Sequence, residues 1–102
     1  MSTGGRMRQY ELMTIHRPDL AEDDVAANVS RIEEYLSGSG AEVIAKDPWG
    51  KRRFAYEIDH LTEGYYTVVT FQGETETVSG LDRMLSLADE VVRHKIVRLG
   101  DD

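Results

Sequence analysis

Hydrophobic and polar positions along this chain divide it into six segments. Met7 to Ile15 (Met-Arg-Gln-Tyr-Glu-Leu-Met-Thr-Ile) is rich in strand formers and carries apolar residues on both alternating sets. That pattern predicts a central strand ending before Arg17-Pro18. Val25, Val29, Ile32 and Leu36 then recur at helical spacing and form a single apolar stripe. Asp19 followed three residues later by Glu22 reads as a capping box at the start of that helix. Glu22, Asp23 and Asp24 fall in its first turn, where the helix dipole favours negative charge, and Gly38 and Gly40 end it.

Ala41 to Ile58 is extended but interrupted at Asp47-Pro48-Trp49-Gly50. Proline cannot donate to a sheet ladder, so the segment is expected at a sheet edge, with a bulge or bend at the interruption. Beyond it Phe54, Tyr56 and Ile58 alternate with Arg53, Ala55 and Glu57, the pattern of a half-buried strand. Asp59 to Gly64 reads as a turn, and Tyr65 to Gln72 as a third strand of β-branched and aromatic residues. Val78, Leu81, Met84 and Leu85 give a second, shorter helix its apolar face, despite the ~1 kcal/mol that Gly80 costs against alanine. Glu90 to Leu99 is the last strand, and Gly100-Asp101-Asp102 a frayed tail. With right-handed crossovers, strand-helix-strand-strand-helix-strand closes most readily into an α+β, ferredoxin-like βαββαβ sandwich. Its four-stranded antiparallel sheet carries both helices on one face and leaves the other open.

Composition narrows the function. At 102 residues there is room for one domain, and the absence of cysteine removes disulfides, thiolate metal sites and cysteine nucleophiles. Lack of cysteine is also compatible with a reducing, intracellular home. No apolar run approaches the ~18 residues a membrane helix needs, and Met1 to Arg6 carries no signal-like apolar stretch. The formal charge of −7 argues against nucleic acid only as an average, because a partner feels the local field within about 8–10 Å. Asp19 to Glu34 holds six acids and one base, whereas Lys46 to Arg53 holds four bases and one acid. Arg93, Lys95 and Arg98 form a second basic group free of acids.

Enzyme chemistry finds little support. His16, His60 and His94 show no ligand spacing. Alternation turns His94 to the core, His60 sits in a turn, and His16 closes the first strand; all three read as structural or solvated. The carboxylate pairs Asp23-Asp24 and Glu33-Glu34 lie on a solvated helix rather than in one cleft. Gly38-Ser39-Gly40 follows a helix, whereas phosphate-binding loops follow a strand. No catalytic residue, cofactor or metal is expected.

The run Trp49-Gly50-Lys51-Arg52-Arg53-Phe54-Ala55-Tyr56 is different: three consecutive bases follow a glycine bend, with an indole before and two rings after. Arginine forks suit phosphate oxygens and planar side chains stack on bases. The competing account is an edge strand protected from aggregation by its charge, with Phe54 and Tyr56 packed inward. Alternation in the last strand sets Arg93 and Lys95 together on the open face, which favours a phosphate-facing slab.

These residues carry a family resemblance. Met7-Arg8-Gln9-Tyr10-Glu11, Pro18-x-Leu20, the Trp49–Tyr56 run, Gly64-Tyr65-Tyr66 and Val91-Val92-Arg93-His94-Lys95-Ile96-Val97-Arg98 resemble, in order over about residues 7–99, bacterial small-subunit ribosomal protein six. The resemblance makes residues 1–6 a short N-terminal extension to a ferredoxin-like domain at 7–99. It implies a non-enzymatic structural role in the cytoplasm: binding the central domain of small-subunit ribosomal RNA together with small-subunit ribosomal protein eighteen, and a monomer outside the ribosome. Arg8, Lys51, Arg52, Arg53 and Arg93 are the RNA-facing residues it implies; Lys95, Arg98 and Tyr56 join them from the face assignment. The sequence departs from the family at His94, in a place usually aliphatic. Two rivals predict a stable homodimer instead: a small-molecule-sensing regulatory domain of this fold, and a compact enzyme with Tyr65, Tyr66 or His60 lining a pocket.

Overall fold

The computed structural model describes residues 7–100, so the expected extension at 1–6 and the last two residues of the tail lie outside the described residues. Its elements follow the expected order: β1 (Arg8–His16), α1 (Glu22–Gly38), β2 (Glu42–Ile58), β3 (Leu61–Gly73), α2 (Thr75–Ser86) and β4 (Val91–Arg98). They build a four-stranded antiparallel sheet in the order β2-β3-β1-β4. β1 is central, as its two apolar faces require, and β2 is an edge. No helix among the described residues is long and apolar enough to cross a membrane.

Register assigns the faces, because directly opposed residues project to the same side. Tyr10, Leu12, Thr14 and His16 of β1 stand opposite Phe71, Val69, Thr67 and Tyr65 of β3, and this set faces the helices. Val25, Val29, Ile32 and Leu36 of α1, with Leu81 and Leu85 of α2, close the core over it. Leu12, Leu36, Phe71 and Leu81 are wholly buried, each contributing about 1.5–3 kcal/mol by leaving water. The alternate set (Glu11, Met13 and Ile15 opposite Thr70, Val68 and Tyr66) faces away from both helices.

Three local expectations are corrected. No capping box forms: the N-cap of α1 is Ala21, without a side-chain hydrogen bond, and Asp19 instead accepts from Arg17 Nε at 3.4 Å. The turn expected over Asp59–Gly64 shrinks to Asp59-His60, whose φ angles of +52° and +65° make a tight hairpin, and β3 starts at Leu61. Two successive left-handed residues match the twist of the flanking strands, so pairing runs to the tip. The alternation expected of Phe54, Tyr56 and Ile58 also fails: Phe54 is 8% exposed but Tyr56 is 73% exposed. Beyond Arg53 the ladder to β3 is interrupted until Ile58, and β2 and β3 outrun the other strands. Tyr56 therefore has no covering layer.

His94 does turn toward the helices, where its Nε2 lies 2.7 Å from Asp82 Oδ1 on α2. That partner accommodates an imidazole at a core-facing place. Gly80 is explained as well: a Cβ there would run into the Tyr35 hydroxyl of α1, which donates to the Thr77 carbonyl at 3.4 Å.

Candidate nucleic-acid interface

The interruption of β2 builds the site. Register shifts between Pro48, opposite Thr67, and Gly50, opposite Tyr66, so Trp49 is the extra residue of a bulge. Gly50 takes φ +84°, a conformation side chains rarely adopt. With no side chain at Gly50, the indole of Trp49 lies across Tyr66 on the open face, centroids 6.0 Å apart and planes within 11°. Phe54 meets the same ring edge-on at 6.0 Å. Ile15, which pairs with Tyr66 across the β1–β3 ladder, is 4% exposed on this face.

One polar contact holds the indole and another the backbone that carries it. Trp49 Nε1–H donates to Asp47 Oδ2 at 3.0 Å, and the Trp49 carbonyl accepts from Arg52 Nε at 3.2 Å. The Arg52 guanidinium carbon sits 5.9 Å from the indole centroid, a cation–π contact. Arg52 stands opposite Gly64, and Arg93 and Lys95 stand opposite Ile15 and Met13, so all three bases share the uncovered face. Glu11 and Asp47 lie on it too, and Asp47 is held by the indole.

The remaining predicted residues are elsewhere. Lys51, opposite Tyr65, belongs to the helix-bearing side, its Nζ 5.1 Å from the Tyr65 ring centroid. Arg53, opposite Glu63, is exposed on that side nearer the hairpin tip, and Tyr56 lies farther out. Arg8 and Arg98 stand opposite Gly73 and Tyr10 at the other end of the sheet, on the helix side, and each is engaged in an interaction there. The structure thus joins Arg52, Arg93 and Lys95 on one face and distributes Arg8, Lys51, Arg53, Tyr56 and Arg98 around it. Among the described residues, Lys51, Arg52, Arg53, Arg93 and Lys95 take part in no ion pair; Lys46, which bonds Glu33 at 3.3 Å, does.

Sequence reasoning missed two features. Tyr66 figured in the family resemblance and as a pocket residue of an enzyme but not at the nucleic-acid site, whereas it is the base of the aromatic stack; the bulge that brings Trp49 onto it was the available signal. On the helix side, a groove of 180 Å³ between α1 and β2 is lined by Val25, Ala26, Val29, Pro48 and Tyr65, with Glu22 and Lys46 at its margin. No short motif announces it.

Fold and face together define a small ferredoxin-like domain whose open sheet presents rings and cations. The family model described as Ribosomal protein S6 matches residues 9–98. The chain is 49% identical to "Small ribosomal subunit protein bS6" of Symbiobacterium thermophilum over 92 residues, which are 90% of this chain and 97% of the relative. Its identity to the protein of that name from Carboxydothermus hydrogenoformans is 46% over 92 residues, 90% and 96% of the two chains. The crystal structure of 30S ribosomal protein S6 from Thermotoga maritima superimposes with a TM-score of 0.87 at 27% identity, covering 92% of this chain and 89% of that one. The chain belongs to the ribosomal protein S6 family, proteins of the small ribosomal subunit.

Proposed function

We propose that this protein binds the central domain of small-subunit ribosomal RNA through the open sheet face and the basic β2–β3 hairpin, as a monomer that pairs with small-subunit ribosomal protein eighteen. The observation that carries the reading is the gathering of Arg52, Arg93 and Lys95, free of ion pairs among the described residues, on the sheet face away from α1 and α2. Lys51 and Arg53 extend the positive field around the edge strand. The role is positional and non-enzymatic: phosphate contacts fix register and orientation, and RNA shape supplies specificity.

Charge polarity supports the partner. Glu22, Asp23, Asp24 and Glu34 are exposed on α1, on the side of the sheet away from the proposed RNA face. That surface repels phosphate and attracts a basic protein, and the apolar groove between α1 and β2 lies beside it. A chain of net charge −7 then needs the partner's cations for tight binding.

The test is an affinity titration against a central-domain ribosomal RNA fragment with and without protein eighteen, repeated across salt. Neutralising about 4–5 phosphates gives a log–log salt slope near −3 to −4. Arg52→Ala with Arg53→Ala weakens RNA affinity at low salt and leaves thermal stability near wild type. Unchanged RNA binding in that double variant removes the assignment of the site.

A further inference from the structure

We infer that Trp49 is a stacking platform for an unpaired nucleobase, so that the open face reads a splayed base as well as phosphates; this rests on the RNA-binding reading above. The indole is 45% exposed, although one of its faces is already stacked on Tyr66. Its one hydrogen-bond donor is spent on Asp47. What it can offer a ligand is therefore π surface, shared with the Arg52 guanidinium that lies over the ring 5.9 Å from its centroid. A guanidinium next to an indole is the combination on which bases stack in single-strand recognition.

The platform is assembled before any ligand arrives. The Asp47 acceptor and the Tyr66 ring hold the indole, and the bulge and the Arg52–Trp49 carbonyl bond hold the backbone that carries it. Stacking then costs little ordering entropy. Charge on the same face suits a nucleotide: Arg93 lies across Ile15 from Tyr66, two strand spacings or about 10 Å away, within reach of a phosphate flanking the stacked base. In an A-form helix the base faces are consumed by stacking on one another. The complementary element is therefore a bulged or looped nucleotide rather than continuous duplex.

Trp49 is the only tryptophan of the chain, so indole emission reports on this site alone. The full-length protein is titrated with oligoadenylate, with a blunt RNA duplex of matched length and with the central-domain fragment. Oligoadenylate and the fragment quench the emission; the duplex leaves it unchanged. Trp49→Ala weakens fragment binding on the order of 5- to 150-fold, the range for one stacked base. Its salt slope stays as in wild type, because no phosphate contact is lost, and Trp49→Phe recovers most of the affinity. Thermal unfolding of each variant verifies that it folds. If the fragment binds wild type without altering indole emission, or binds Trp49→Ala as tightly while Arg52→Ala with Arg53→Ala is impaired, the stacking proposal falls and the RNA reading stands. If protein eighteen and not RNA shifts the emission, the rings are a protein contact and the proposal is wrong. If wild type binds none of the RNAs, with protein eighteen present or absent, both readings fall.

Discussion

Gly64→Ala tests the geometry beneath the open face. Gly64 lies opposite Arg52 in the β2–β3 hairpin, where β3 passes the end of β1. A Cβ added there would stand 2.7 Å from Ile15 Cγ2, 2.8 Å from the His16 carbonyl oxygen and 3.1 Å from Phe54 Cζ. Neither of the two nearest atoms can give way cheaply. Ile15 is β-branched and buried, and the His16 oxygen is backbone of the central strand. Overpacking of this kind costs about 1–3 kcal/mol. Alanine restricts the unfolded chain and so returns about 0.4–1 kcal/mol. The net expectation is a loss of about 1–2 kcal/mol, or roughly 4–16 °C in Tm for a chain of this size. Urea melts followed by circular dichroism measure it. Phe54, the third contact, is also pushed from the edge of Tyr66, so indole emission of the folded variant changes as well. A melting temperature at or above wild type refutes the packing argument.

Further expectations follow from the buried polar groups and the helices. His16 is fully buried, with Nε2–H donating to Asn28 Oδ1 at 2.7 Å and Nδ1 without a partner among the described residues. Burial holds its pKa below the ordinary 6.5, against the raising effects of the Asn28 bond and Glu90. As pH falls through 6.5 the unfolded chain takes up a proton that the folded one refuses, so stability declines at up to about 1.4 kcal/mol per pH unit until the folded histidine titrates. His16→Gln removes that slope; denaturant midpoints between roughly pH 7.5 and 5.5 that shift equally in both proteins exclude the mechanism. Ala21→Ser supplies α1 with the side-chain cap it lacks and raises stability by about 0.5–1 kcal/mol, read as a higher urea midpoint. Gly80→Ala gains about 1 kcal/mol of helix propensity but meets the Tyr35 hydroxyl, so it is more favourable in a Tyr35→Phe background; a double-mutant cycle shows coupling above about 0.5 kcal/mol.

Much of this protein is legible residue by residue. The apolar stripe Val25-Val29-Ile32-Leu36 sets α1 and its buried face, because helical period and core contact are the same geometric fact. Pro48 places β2 at an edge, since a residue without an N–H cannot serve two neighbours. Alternation correctly separates His94 and Ile96 from Arg93 and Lys95. Where reading by alternation broke down, the cause lay in features that reset the period. The bulge at Trp49 shifts every later residue of β2, so Arg52 reaches the open face while Lys51 and Arg53 do not. Tyr56 lies past the layer that would cover it, and Asp19 was drawn to Arg17 rather than to the helix start.

Element order, the core-facing stripes of the two helices and the segregation of acidic helix from basic strands were therefore determined by the sequence alone, because each depends on spacing within a short window. Only the tertiary structure decided which cations share a surface, that Trp49 stacks on Tyr66, and that an apolar groove opens between α1 and β2. Those depend on strand register and on contacts between residues far apart in the chain. A single inserted residue turns a strand's side chains over, and no local pattern records which neighbour it will meet.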